Sequence, residues 1–268
     1  MGKGKPFLEV LASAIHEDYR FPFLEIFAFL FAIGTFVFAS FGGIITAQGT
    51  TSEAMAYSTT TSIIGASMFV FVILVFKNVA YGLGSDLEKG IIQTYFSYPL
   101  KRSGILTAKL ISAIGVALLL FLGIQISALY ILAPDIVLPQ LSIVFLTYAA
   151  TLSSALLITG ILLLLTLILR RGGITLVVGI ILYTAMGIIT SIAMFVSFAT
   201  ESPLAIQIIS VISPSMALQQ HYGGMSSILT SMWAPTLSEV ILYIGASYVV
   251  VASLFVIGYI YFSRRLNL

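Results

Sequence analysis

Long runs of apolar residues, separated by short polar links, make up most of this chain. A helix of about 20 apolar residues crosses the hydrocarbon core of a bilayer, and six runs reach that length. The runs cover residues of about 24–47, 60–81, 105–132, 141–169, 174–199 and 237–262. Continuous runs favour helices over a membrane barrel, whose strands alternate in polarity over about 10 residues. The pattern therefore predicts an all-α polytopic membrane protein with six transmembrane helices.

Two segments outside these runs also have helical patterns. Residues 6–19 place apolar and charged side chains at helical spacing, which predicts an amphipathic helix on the membrane surface, broken before the first span at Pro22. A short disordered tail is the alternative. Residues 203–213 and 215–230 are apolar but too short to cross, which predicts a re-entrant or interface-lying helical hairpin on the outer side. A surface pair with no part in a transport pathway is the alternative. The residues assigned to this outer gate hairpin are Pro203, Pro214, Gly223 and Gly224.

The composition agrees with lipid as the main solvent of the chain. Hydrophobic residues make up 59% and charged residues 8%, with a mean hydropathy of +1.12. A soluble domain carries roughly 25% charged residues. Without cysteine, the chain can form no disulfide, thiolate metal site or thiol nucleophile. With no repeat or linker in the sequence, residues 1–268 are expected to form a single membrane domain.

Lys and Arg occur only in alternate links between the six runs, when Lys77 and Lys109 at the adjoining run ends are counted with the link after the second run. The N-terminal segment, the links after the second and fourth runs, and the C-terminal segment together hold all 12 basic residues. Links rich in basic residues face the cytoplasm. This distribution predicts that both termini are cytoplasmic, in a multi-pass protein of the plasma membrane.

Residues that could supply catalytic chemistry are scarce. The runs contain no buried acidic and basic pair of the kind that marks an ion or proton pathway. The only two histidines, His16 and His221, are predicted on opposite sides of the membrane. No HExxH motif or P-loop occurs. The chain is therefore expected to have no catalytic residue, metal site or cofactor site of its own, and not to act alone as an enzyme.

Residues 84–109 concentrate charge between the second and third runs, with six of the chain's 22 formal charges. Ser85–Glu88 has the form of a capping box, the usual start of a helix. Apolar side chains then recur on one face at Leu87, Ile91, Tyr95 and Tyr98, and Pro99 ends the pattern. The segment is predicted to be an amphipathic helix, residues 85–98, lying along the cytoplasmic face. An ordinary charged loop is the alternative.

In this segment the sequence resembles the permease subunits of type-2 ABC exporters. The family pattern is an acidic residue, a charged residue and Gly, then an apolar run, a small residue, Pro, a basic pair and a Lys that opens the next span. Here it reads Glu88-Lys89-Gly90, residues 91–96, Ser97-Tyr98-Pro99, Lys101-Arg102 and Lys109-Leu110. The six spans, the cytoplasmic termini, the amphipathic first helix and the outer hairpin also match the family plan.

The resemblance implies that the helix is a coupling helix, which docks on a separate cytoplasmic ABC ATPase subunit. That partner would bind ATP and Mg, and none of these cofactors would bind this chain. The implied ATPase-coupling residues are Asp86, Glu88, Lys89, Gly90, Gln93, Tyr95, Pro99 and Arg102. A second permease copy or a related permease, together with membrane lipids, completes the expected partners, and nucleic acid is not among them.

An exporter of this kind would move a lipophilic or amphipathic substrate outward. Small and polar residues of spans 1, 2 and 5 are candidates for lining its pathway, namely Thr35, Ser40, Ser67 and Thr184. Small residues also mediate plain helix packing, so a structural role is the alternative for them. Two other functions stay open at this point: a non-transporting membrane scaffold or immunity-type protein, and a membrane-embedded transferase.

Overall fold

The computed structural model describes residues 5–38, 51–96, 99–222 and 233–264, and these form helices with no strand among them. Five helical units have the length and apolar composition needed to cross a membrane: Ser67–Glu88, Arg102–Leu132, Pro134–Leu169, Gly172–Ala199 and Leu237–Arg264. The helices Pro6–Asp18 and Phe23–Val37 meet at a bend of 66°, and together they pass the same test as a possible sixth unit. The predicted all-α architecture is confirmed for the described residues, together with five or six helices that are long and apolar enough to cross a membrane.

The first half of the chain contains two helices, α1 and α2, followed by two long helical units that are each interrupted by a π-helical turn. Helix α1 covers Lys5–Asp18, and α2 covers Phe23–Phe38. Span 2 consists of α3, Ser52–Phe76, the π-helical turn π1, Lys77–Gly82, and α4, Leu83–Glu88; the short α5, Ile91–Tyr95, follows it. Span 3 consists of α6, Arg102–Leu110, the π-helical turn π2, Ile111–Val116, and α7, Ala117–Leu132.

The second half follows the apolar runs closely. It contains α8, Pro134–Val137, a 3₁₀ turn, Leu138–Gln140, then α9, Leu141–Leu169, α10, Gly172–Ala199, α11, Leu204–Ile212, α12, Ser215–Tyr222, and α13, Leu237–Arg264. Helices α11 and α12 meet at Ser213-Pro214, so a helix pair is present where the hairpin is predicted. Ser40, Gly223 and Gly224 lie outside the described residues.

The segment predicted as one amphipathic helix, residues 85–98, has a different form over residues 85–96, while residues 97 and 98 lie outside the described residues. Span 2 continues as helix to Glu88, and Gly90 then adopts a left-handed conformation with φ 72° before α5 begins. Glycine reaches this conformation with little strain, so it turns the chain here. Ser85 caps nothing, because the backbone is already helical from π1 onward. The single helix and its capping box are therefore wrong predictions.

Helix α9 lies at the centre of the bundle and packs against α3, α10 and α13. The apolar window of its span is 61% buried, against 11% for that of α10 and 22% for that of α13. Two outer helices thus leave apolar faces uncovered by the rest of the described chain. In a bilayer such faces carry no penalty, since lipid tails are as apolar as the side chains.

Span 2 and α10 touch through their backbones at two glycines. A Cβ atom placed on Gly84 would lie 2.6 Å from the Cα of Gly172. Small residues are the usual means by which membrane helices approach this closely. The contact fixes the end of span 2 against the start of α10, at the end of the bundle where the charged side chains collect.

Candidate functional site

Five ionisable side chains meet where the C-terminal end of α1, π1, α4 and α6 converge. We call this cluster the charged junction, and its members are Glu17, Asp18, Lys77, Asp86 and Lys109. The Nζ of Lys109 donates to Glu17 Oε2 at 2.7 Å and lies 2.7 Å from Asp86 Oδ2. The second contact is an ion pair by distance. One lysine therefore joins a surface helix to spans 2 and 3.

Burial distinguishes the two carboxylates that share Lys109. Asp86 and Lys109 are only 2% and 6% exposed, whereas the Glu17 side chain is 45% exposed. Asp86 does not lie on an exposed docking surface as predicted, because the helix that carries it continues from π1 and turns this face inward. The expectation of no buried ion pair within the spans is also wrong, since span 2 continues as helix to Glu88 and brings Asp86 to Lys109, which lies inside the third run.

The end of α1 is held against both π-helical turns. Lys77 Nζ donates to the backbone oxygen of Asp18 at 2.8 Å, and Ser112 Oγ donates to Asp18 Oδ2 at 2.5 Å. Tyr19 Oη donates to the Ser112 carbonyl at 3.2 Å. Single π-helical turns are rare and occur frequently at functional sites. Here they are the places where α1 attaches to spans 2 and 3.

Burial sets the electrostatics at the end of α1. It raises the pKa of Asp18 to about 6, although the hydrogen bond from Ser112 and the charges of Lys109 and Lys77 act in the opposite direction. Burial also raises the pKa of Tyr19, so its hydroxyl stays protonated and able to donate at neutral pH. The charge of the Asp18 carboxyl thus changes at a pH just below neutral.

An exposed surface borders the junction, and we call it the docking face: Glu88, Lys89, Gln93, Pro99 and Arg102, with an adjoining open pocket of about 450 Å³. The pocket lies between α1 and α5, and its lining includes Arg20 and Tyr95. Lys109 Nζ lies 4.9 Å from the centre of the Tyr95 ring, so the pocket wall contacts the junction directly. Gly90 and Tyr95 are half-buried, which leaves Asp86 as the one predicted coupling residue in the interior.

Two predicted pathway residues, Thr35 and Ser67, lie in the interior of the chain and line no opening. Both are fully buried around Gln125, whose Nε2 donates to Thr35 Oγ1 at 3.0 Å and also contacts Ser67 Oγ. Tyr148 Oη donates to Gln125 Oε1 at 3.0 Å. Their hydroxyls satisfy a buried amide, which is why they face inward. Thr184, by contrast, lies at an open groove beside α10.

Replacing Gln125 with leucine is expected to destabilise the protein by about 1–3 kcal/mol. The change removes the partner of three buried hydroxyl groups, and an unsatisfied buried polar group costs about that much. Denaturant unfolding of the purified protein in detergent measures the loss. Gln219→Leu, an exposed position on α12, is the matched control. Equal stability of the two variants would contradict a structural role for the amide.

Comparison of the chain with protein-family models, with curated proteins and with solved structures finds no match in any of the three. The function must therefore be inferred from the charged junction and the docking face beside it.

Proposed function

We propose that this chain is the transmembrane subunit of an ATP-driven exporter, similar to the type-2 ABC permeases and driven by a separate ATPase subunit. The observation that carries the proposal is the position of Lys109. Lys109 lies on α6, behind the docking face. It forms ion pairs with Glu17 on α1 and with Asp86 on α4. A partner that pushes on this face acts on three membrane elements at once.

The connections from the docking face into the membrane are short and helical. Glu88 is the last residue of α4, which continues through π1 into α3 without a loop. On the other side, α1 is fixed to span 3 through Lys109 and Ser112. Helices transmit displacement along their axes, whereas a flexible loop would absorb it. This end of the bundle is therefore suited to convert the closing of an ATPase pair into movement of spans 2 and 3.

Orientation and partner chemistry are consistent with this mechanism. The excess of Lys and Arg on the links at this end supports a cytoplasmic position for the docking face, where ATP is available. Because the sequence has no P-loop, the partner would hold ATP and Mg. The largely exposed apolar flank of α10 offers a surface for a second permease copy or a related permease. For transport, the partner must bind the inward and outward states with different free energies.

Reversing a charge on the docking face is expected to uncouple the ATPase. We expect Glu88→Lys to lower the recovery of a co-purifying ATPase and its vanadate-sensitive turnover by about fivefold or more, because like charges at an interface disfavour docking. The full chain, tagged and purified from its native membranes, provides both measurements.

Asp135→Lys is the control for this experiment, since it reverses an exposed carboxylate on α8, at the start of the helical unit Pro134–Leu169. Equal recovery and turnover for both variants would contradict the docking face. A partner that binds with no change in its ATP turnover would instead indicate a non-transporting scaffold, and an activity of the isolated chain on a substrate would indicate a transferase.

A further inference from the structure

An open groove of about 420 Å³ lies on the flank of the bundle, between α3, α9 and α10, and the turn that precedes α12 closes one edge. Sites for small molecules typically have volumes of about 300–1,000 Å³. The groove is separate from the charged junction, because about 13 Å of helix lies between Met68 in the groove and Lys77. Phe69, Tyr183 and Met186 give it an apolar and aromatic wall.

Hydroxyl groups supply most of the polarity of the groove. They belong to Thr151, Ser154, Tyr183, Thr184, Thr190, Ser213 and Ser215. Each of the three threonines donates its proton to a backbone carbonyl of its own helix, at 2.7–2.9 Å. A hydroxyl that has donated its proton still has lone pairs that accept. The threonines therefore offer the groove acceptors and no donors.

The hydroxyl groups of the serines at the edge of the groove also form hydrogen bonds within the protein. Ser154 Oγ lies 3.4 Å from the Ile212 carbonyl and from Ser213 Oγ, and Ser213 and Ser215 share a hydrogen bond of 3.1 Å. This pair retains a single hydroxyl proton for any other partner. No described residue that lines the groove is charged. Acceptor oxygens therefore outnumber the hydroxyl protons that remain, which are one from the serine pair and that of the Tyr183 phenol. The groove has no ion to neutralise a charged ligand.

We infer that this groove binds a neutral amphiphile through hydrogen-bond donors on its polar group, such as amide N–H or alcohol O–H groups. A donor in a lipid environment has few other partners, so the acceptor oxygens retain it. An anion would meet lone pairs, and a fixed cation would lose hydration with no carboxylate to compensate. The aliphatic part of the ligand would lie along Phe69 and Met186. The inference names a substrate class and rests on the proposed transport function for its biological meaning.

Photolabelling of the full chain in nanodiscs tests the inference directly. The probe is dodecanamide carrying a diazirine on its alkyl chain, and labelled peptides are located by mass spectrometry. The competitors are dodecanamide and N,N-dimethyldodecanamide, which share an alkyl chain while only the first has N–H donors. We expect the probe to label residues 68–69 and 183–190. Dodecanamide should compete roughly five- to tenfold better than N,N-dimethyldodecanamide, a ratio that corresponds to the free energy of about one hydrogen bond.

A matched pair of variants separates the groove from general lipid contact. Thr151→Val removes an acceptor oxygen from the groove and is expected to weaken competition by dodecanamide roughly three- to tenfold. Thr147→Val is the control, since Thr147 stands one turn earlier on α9, makes the same bond to its own helix at 2.7 Å and is 1% exposed. Equal competition by the two amides, or labelling spread evenly over the lipid-facing helices, overturns the inference.

The outcomes also distinguish this inference from the proposed transport function. Donor-dependent labelling of the groove, in a chain that couples to no ATPase, would support the groove and refute transport. Vanadate-sensitive coupling without any preference between the two amides would support transport and refute the groove.

Discussion

Replacing Lys109 with methionine is expected to destabilise the protein by about 3–5 kcal/mol, the usual cost of breaking a buried ion pair by removing one partner. Methionine keeps the length and apolar packing of the lysine stem. The loss is therefore that of the ammonium group, which lies 2.7 Å from Asp86 Oδ2. Asp86 would remain nearly fully buried with no opposite charge in contact. The free-energy cost of losing the ammonium group would be smaller at Glu17, because water reaches its carboxylate.

A double-mutant cycle isolates the pair. Lys109→Met combined with Asp86→Leu removes both charges together, and much of the stability should return, since two apolar side chains replace a buried pair at little net cost. Chemical unfolding in detergent provides the free energies. Lys101→Met, an exposed lysine next to α6, is the control. If Lys109→Met is no more harmful than Lys101→Met, the pairing of Lys109 with Asp86 has no structural importance.

The extent to which the sequence predicts this fold differs between the spans and the charged junction. Helix α9 begins and ends at the predicted residues 141 and 169, because a continuous apolar run is bounded by Pro139-Gln140 and by Arg170-Arg171. Span boundaries of this kind depend on local polarity alone. The pairing of Lys109 with Asp86 depends on how spans 2 and 3 pack, and no local pattern contains that information.

The region around Gly90 shows how a local pattern can mislead. Ser85–Glu88 matches a capping box, yet the preceding backbone is already helical, so no new helix starts there. The signal that could have located the break is Gly90 itself, since glycine is disfavoured in a helix interior by about 1 kcal/mol. Gln125 gave a similar signal, as an amide within an apolar run, but only the packed structure identifies its partners Thr35 and Tyr148.

Two adjacent glycines at the start of α10 are expected to respond very differently to the same substitution. A Cβ on Gly172 would lie 2.8 Å from the Tyr81 carbonyl oxygen and 3.0 Å from the Ser85 nitrogen. These are backbone atoms, so span 2 and α10 must separate before alanine fits. A Cβ on Gly173 would meet nothing within 4 Å. Overpacking costs typically about 1–3 kcal/mol and occasionally more, and rigid backbone contacts belong to the upper part of that range.

We therefore expect Gly172→Ala to lower the yield of monodisperse protein and its unfolding free energy by about 3 kcal/mol or more. Gly173→Ala should be neutral or stabilising by up to about 1 kcal/mol, because alanine favours the helix. Both substitutions gain the same helix propensity, so their difference measures the close approach of span 2 and α10 alone. Size-exclusion chromatography followed by denaturant unfolding provides both quantities. Equal behaviour of the two variants would show that the end of span 2 is not held against α10, and the rigid path from the docking face into the bundle would then lose its support.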